Sequence, residues 1–319
     1  MQSFRFSLYL YIMNCMRHLL LLALLGCATA VLAGETYAVI ISGGRNKMYN
    51  HERYWNDCAF LYRTLRQTYH LSQDHITLLM ADGDNPANDM LCDGATGFAS
   101  SPTDLDGDGE QDLTLAATYQ NLDDTFRWLS TMLAYNDRLF IFITDHGEQN
   151  DEGDIHLWLW GSEKLSPQEL AMMVNRCHPA TMNILLGQCY AGAFVASLRG
   201  EGRIITAVCA ADQMSWACKD RPYDEFDYHW TCAIAQHDEH DQPVSSDANG
   251  DGCITMQEAY NYARQHDCRP ETSIFTALPS ILATQWVFSD VEIENGIIPP
   301  SVSSTSTLYD LQGRKVRKK

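Results

Sequence analysis

The sequence predicts an α/β fold: a mainly parallel sheet with helices on both faces. Three observations carry this. Short runs rich in β-branched residues recur at Thr36–Ile41, Ile76–Met80, Arg138–Thr144, Met182–Leu186 and Ile204–Val208. These runs are apolar throughout rather than alternating, as strands covered on both faces are. Segments with helical spacing lie between them.

Taken in order, Thr36–Ile41 is a strand that ends in the turn Ser42-Gly43-Gly44. Residues 52–68 carry Tyr54, Cys58, Leu61 and Leu65 at helical spacing. Ile76–Met80 is the second strand, and a polar insertion rich in Gly and Asp follows over 81–113. A helix is predicted over 115–133 and the third strand over 138–144. Asp154 to Trp160 alternates, which predicts a hairpin arm. Ser166-Pro167 reads as the cap and first position of a helix over 166–177. The fourth strand, a short helix from Ala193 to Leu198 and the fifth strand follow. Ile281–Thr284 is the expected last edge strand. No repeat of solenoid length occurs. One domain over 34–295 results. Beyond it, 296–319 holds a Pro299-Pro300 and Ser/Thr-rich linker and a basic tail.

Of the 319 residues, 45% are hydrophobic and 20% charged, enough apolar surface for a core. The net charge is −19, unevenly spread. Residues 1–33 carry +2 and 309–319 carry +4, so the body between them carries −25. Such a surface repels polyanions, which argues against nucleic acid as a partner, and attracts cations such as calcium. Residues 1–33 read as a signal peptide. Arg17-His18 precedes the apolar run Leu19–Leu25, and Val31-Leu32-Ala33 suits cleavage. The run is too short for a membrane span. Leu24-Leu25-Gly26-Cys27 also fits a lipoprotein box. The expected address is therefore exported: secreted, periplasmic or on the cell surface, with a lipid anchor as the alternative.

Cys15 and Cys27 lie in the leader, leaving nine cysteines in the body. Bridges are permitted in an exported protein, but an odd count leaves one thiol out and flags a reactive cysteine. No CxxC pair occurs, which argues against a zinc ribbon.

Ligands of open parallel sheets bind beyond the carboxyl ends of the strands. Two strand ends carry reactive side chains. The third strand ends in Thr144-Asp145-His146-Gly147 and the fourth in Gly187-Gln188-Cys189-Tyr190-Ala191-Gly192. If the two strands are neighbours, His146 and Cys189 face one crevice. Imidazole can activate a thiol, and the glycines let a substrate backbone approach. The amides of Gly147 and Cys189 are candidates for an oxyanion hole. Asp145 is read as structural, because neighbours on a strand point to opposite faces.

This pattern resembles caspase-like cysteine peptidases, and most closely the legumain family. The supporting residues are Phe142-Ile143-Thr144-Asp145-His146-Gly147 and Gln188-Cys189-Tyr190-Ala191-Gly192. Tyr49-Asn50, eight residues before Cys58, and Ser215-Trp216-Ala217-Cys218 are similar to further family motifs. The resemblance implies a caspase-like three-layer sandwich and peptide or protein substrates. It implies that Cys189 is the nucleophile, that His146 is the general acid/base and that Asn50 orients His146. Ser215 is implied to border the substrate. Two departures leave the pocket open. Glu52-Arg53 stands where the family has Arg-His, and Gly187 stands where it has Glu. Arg53 suits an Asn or Asp side chain, whereas Glu52 with Glu225 suits Arg or Lys. Hydrolysis, transpeptidation on the same thioester, and a non-enzymatic calcium-binding surface module are the competing functions.

Asp247 to Glu258 fits the twelve-residue calcium loop. Asp247, Asn249 and Asp251 offer oxygens, Gly252 makes the sharp turn, Cys253 offers its carbonyl, and Glu258 closes the loop. A second candidate spans 104–115, with Asp104, Asp106, Asp108 and Asp112 at positions one, three, five and nine. Leu115 holds its closing position, so Asp112 is the alternative. The expectation is structural calcium ordering loops around the cleft, with no organic cofactor. The tail from Thr307 to Val316 resembles the opening of a type IX sorting segment, cut short at Lys319.

Overall fold

The computed structural model of the protein describes residues 34–92 and 97–288. The leader and the tail lie outside the described residues. Strand β1 (Thr36–Ser42) leads to helix α1 (Glu52–Arg63), extended by a π-helical turn over Thr64–Thr68. β2 (Ile76–Met80) follows, then a small hairpin of β3 (Met90–Leu91) and β4 (Phe98–Ala99) inside the polar insertion. Helix α2 (Tyr119–Met132) starts later than its apolar pattern, because the Thr118 side chain caps it by accepting the Asn121 amide. Leu115 instead forms a bridge with Leu79. β5 (Arg138–Ile143) runs into a three-stranded antiparallel arm of β6 (Gly147–Gln149), β7 (Ile155–Trp158) and β8 (Lys164–Leu165). Helix α3 (Pro167–Val174) begins at Ser166 as the dipeptide predicted, with Glu169 completing a reciprocal capping box. β9 (Thr181–Leu186), helix α4 (Gly192–Leu198) and β10 (Arg203–Ala207) complete the alternation. Helices α5 (Glu225–Ala235) and α6 (Met256–His266) precede β11 (Ile274–Leu278).

The central sheet has the order β11-β10-β9-β5-β1-β2. All its pairings are parallel except that of β10 with β11. The expected edge strand at Ile281–Thr284 is a correction: Ser280–Thr284 forms a 3₁₀ turn, and the edge strand is β11. The edge residues of β11 are only half-covered, so they lack the wholly apolar signature of the interior strands. β1, β5 and β9 are buried along nearly their whole length, so both sheet faces are covered. Helices α2, α3 and α4 pack on one another, as do α1, α5 and α6, giving the three layers.

Aromatic rings join the sheet to the helix layer that contains α5. Phe140 on β5 stacks on Trp230 of α5 with centroids 5.6 Å apart, and meets Phe288 edge-on at 5.0 Å. Phe140 is fully buried. Phe140→Ala should therefore cost about 3–5 kcal/mol of unfolding free energy, measured by denaturant titration.

Candidate active site

β5 and β9 lie side by side in register, with Ile143 opposite Leu186. The Gly187 amide continues the ladder by donating to the Ile143 carbonyl at 2.6 Å. Both reactive strand ends therefore emerge at one edge of the sheet. The chain reverses at each. After β5, Gly147 starts the antiparallel arm, and the Trp158 amide donates to the His146 carbonyl at 3.0 Å. After β9, Tyr190 adopts φ +58°, and its amide donates to the Gln213 carbonyl at 2.8 Å. This left-handed residue turns the strand sharply into α4 and leaves Cys189 at the apex.

A single close approach ties the two ends together. A Cβ on Gly147 would fall 1.9 Å from the Cys189 carbonyl oxygen. Only glycine permits that distance. The residue after His146 thus packs on the backbone of Cys189, and its amide reaches the Cys189 sulfur.

The imidazole of His146 is half-buried. Its Nε2 lies 2.9 Å from the Tyr49 carbonyl oxygen. A carbonyl only accepts, so Nε2 carries the proton and Nδ1 keeps the basic lone pair. The rings of Tyr54, His51 and Tyr49 surround it with centroids 5.3, 5.6 and 5.9 Å away. Burial pushes its pKa down to about 4, against the pull of the Tyr49 carbonyl. The thiol of Cys189 sits 3.5 Å from the Ser215 hydroxyl and 3.8 Å from the Ser215 carbonyl. Burial raises the thiol above its ordinary range, while the bonds to Ser215 and the Gly147 amide act the other way. Both groups are neutral at neutral pH, with no preformed thiolate–imidazolium pair.

Asp145 does not address the imidazole. Its carboxylate accepts the amides of Gly44 and His146, joining the ends of β1 and β5. Burial pushes it up to about 8, opposed by those amides. Asn50 corrects an expectation. Its side-chain amide donates to Asp89, to the carbonyl oxygen at 3.1 Å and Oδ2 at 3.3 Å. The neighbouring Tyr49 supplies the group on His146 instead, through its backbone, and a backbone carbonyl leaves no mark in the sequence.

The expected pocket residues separate. Arg53 donates from Nε to Asp224 Oδ1 at 2.9 Å and from a terminal nitrogen to the Tyr54 hydroxyl at 2.9 Å. Ser215 borders the sulfur. Glu52, one residue earlier on α1, lines an open cavity of about 500 Å³ with Asn56, Arg221 and Glu239. Glu225 is a second correction. Its carboxylate accepts the amide and the thiol of Cys268, at 3.2 and 3.0 Å. Asp224 meets Arg53 because it precedes the first residue of α5, and one helical step turns Glu225 about 100° away. Asp57 and Asp227, buried beside Asp224, were not predicted. The i, i+3 spacing of Asp224 and Asp227 is the signal that could have found Asp227.

The two acidic loops share one hydrogen-bond pattern. Asp104 accepts the amides of Gly107 and Gly109, Asp106 that of Asp108, and Asp108 that of Glu110. Asp247 accepts those of Gly250 and Gly252, Asn249 that of Asp251, and Asp251 that of Cys253. Glu258 accepts the Ala248 amide, and Asp112 the equivalent Leu105 amide. Asp112 therefore holds in its loop the place that Glu258 holds in the other. The carboxylates of Asp104, Asp106 and Asp108 converge within 4.8 Å. Such a hard-oxygen donor set suits calcium. The loops do not border the cleft, contrary to expectation. Asp112 bonds Tyr62 and Gln73, and Asp106 pairs with Arg66, all at the far end of α1. Just after the other loop, the Met256 amide donates to the Trp286 carbonyl, and the Trp286 ring bonds Thr181 at the start of β9.

Cys58, Cys92, Cys177, Cys189, Cys209, Cys218, Cys232 and Cys268 are free thiols, and no helix among the described residues is long and apolar enough to cross a membrane. No curated protein matches the chain. Residues 36–272 match the Peptidase C13 family, a span that includes both strand ends and both acidic loops. The chain belongs to the peptidase C13 family, the legumain-type, caspase-like cysteine peptidases.

Proposed function

We propose that the protein is an exported cysteine endopeptidase that cleaves peptide bonds through a thioester on Cys189. The observation that carries this is the close packing of Gly147, the residue after His146, on the backbone of Cys189. The family membership supports it. The address rests on the leader sequence.

The neutral pair suits a mechanism in which substrate lies between the two side chains. The thiol gives its proton to the Nδ1 lone pair of His146 as Sγ attacks the scissile carbonyl carbon. The oxygen, now negative, takes bonds from the amides of Gly147 and Cys189. The C–N bond breaks, and the imidazolium returns the proton to the leaving amine. Water, deprotonated by the same imidazole, attacks the thioester, releasing the acid and restoring the thiol. A peptide amine in place of water would give transpeptidation.

Calcium, when bound, supplies charge neutralisation and loop rigidity. Asp247, Asn249, Asp251, the Cys253 carbonyl and Glu258 would hold one ion, and Asp104, Asp106, Asp108 and Asp112 a second. Their positions support a stabilising role away from the cleft.

A peptidyl acyloxymethyl ketone, which lies between thiol and imidazole as a substrate does, should label Cys189 before the other thiols at neutral pH. His146→Ala should abolish that selectivity and lower peptide cleavage about 10²–10⁴-fold; equal labelling of all thiols would end the peptidase reading. Labelling of the free enzyme by iodoacetamide should climb with pH beyond 9, because the thiol is raised and no imidazolium holds a thiolate. A plateau between pH 5 and 8 would contradict it. His146 should also weaken the fold in acid. The unfolded imidazole binds a proton near pH 6.5 and the folded one near 4, so its contribution falls as pH drops through that window. Urea titrations across it read this by comparison with His146→Gln. EDTA should lower the melting temperature, and Asp247→Ala should reduce the shift; an unchanged melting curve would remove calcium.

A further inference from the structure

Two thiols that the peptidase chemistry does not use share one carboxylate. Cys268 Sγ lies 3.0 Å from Glu225 Oε1, and the Cys268 amide donates to the same oxygen at 3.2 Å. The Cys218 thiol bonds that carboxylate from a separate segment. Two donors on one carboxylate are separated by at most two hydrogen-bond lengths and the width of the group, roughly 8 Å.

The backbones that carry the two thiols are already joined. Trp216 to Cys218 runs antiparallel to Tyr223 to Glu225. The Cys218 amide donates to the Tyr223 carbonyl at 2.8 Å, the Glu225 amide donates to the Trp216 carbonyl at 2.9 Å, and Ala217 bridges Asp224. From the segment after α6, the Arg269 Nε donates to the Ala217 carbonyl at 2.7 Å, and its guanidinium lies 5.7 Å from the centre of the Trp216 ring. Ala217 is thus bonded to Arg269, and the next residue, Cys218, meets Cys268 across Glu225.

The two thiols differ in access. Cys268 is exposed and Cys218 is half-buried, whereas Cys58, Cys177, Cys209 and Cys232 are buried. An exposed thiol with a second one behind it is the arrangement that captures an oxidant and then resolves the adduct. Glu225, only 5% exposed, is not stranded when the thiol protons leave. It keeps the Cys268 amide, and His229 Nε2 lies 3.9 Å from Oε1.

We propose that Cys218 and Cys268 are a disulfide-forming pair, oxidised by a small-molecule or protein disulfide. An exported chain, as proposed above, meets such oxidants. The thiolate of Cys268 attacks one sulfur of the oxidant, which releases its first thiol and leaves a mixed disulfide. The thiolate of Cys218 then attacks Cys268 Sγ and releases the second thiol. The protein gives up two protons and two electrons, and the S–S bond of the oxidant is reduced to two thiols. The new bond closes a loop of about 50 residues that contains α5 and α6. It also ties down the segment whose Ser215 bonds the Cys189 thiol, while Cys189 stays free.

The full chain, reduced and then incubated with oxidised glutathione at mildly alkaline pH, tests this by mass spectrometry of a digest made without reduction. Peptides cross-linked through Cys218 and Cys268 should be the main disulfide product. The melting temperature should rise by several degrees and fall back on adding dithiothreitol. Cys218→Ser and Cys268→Ser should each abolish the cross-link and the rise. A glutathione adduct that persists on Cys268, a bridge between two copies of the chain, or a pairing of Cys189 with either thiol overturns the proposal. If a variant fails to fold, the wild-type peptide map decides. The map needs no turnover, so the bridge and the peptidase reading fail separately.

Discussion

The parallel pairing of β5 with β9 is the constraint on which the site depends. It fixes Ile143 beside Leu186 and passes the register one residue further through the Gly187 amide. From that point both chains leave the sheet, and each does so with a glycine where a side chain would collide. Gly147 has the Cys189 carbonyl against it, and Gly187 has the Asp227 carboxylate. A slip of one residue along the strand would turn every side chain to the other face. It would also separate the thiol from the imidazole. The buried strands therefore specify catalytic geometry as well as stability.

The electrostatics of the cleft follow from how much of it is buried. Removal from water drives His146 towards neutrality and the Cys189 thiol towards its protonated form. The same effect raises Asp145, Asp57 and Asp227. Asp224, by contrast, has the Arg53 guanidinium bonded directly to it. In the free site, burial thus favours the neutral form of both groups. The acidic loops stand apart from this chemistry. They brace the far end of α1 and the turn beside Trp286, at the N-terminal ends of the strands.

Much of this was legible in the chain. The five parallel strands carried a mainly apolar signature, because both of their faces are covered. The edge strand β11, half-covered, carried none and was misplaced to Ile281–Thr284. Ser166-Pro167 announced its helix because capping is local. His146 and Cys189 were legible because each follows an apolar run and is followed by a turn. Asp112 drew attention because Leu115 holds the closing position of its loop, and it accepts the Leu105 amide as Glu258 accepts that of Ala248. Asn50 and Glu225 were misassigned because their directions depend on packing. Asn50 is drawn to Asp89, and Glu225 is one helical step past the residue that meets Arg53.

By itself, then, the sequence determined which segments are buried strands, where helices begin, which two side chains carry reactive chemistry and which loops offer oxygens in calcium spacing. These properties are set by residues within a few positions of one another. The tertiary structure decided what depends on contacts between distant segments. It gave His146 the Tyr49 carbonyl, Cys189 the Ser215 hydroxyl and Arg53 the Asp224 carboxylate. It also gathered Asp57 from one helix and Asp224 and Asp227 from another into a single buried group. Solvent exclusion and charge balance are properties of that assembled volume, and no linear spacing encodes them.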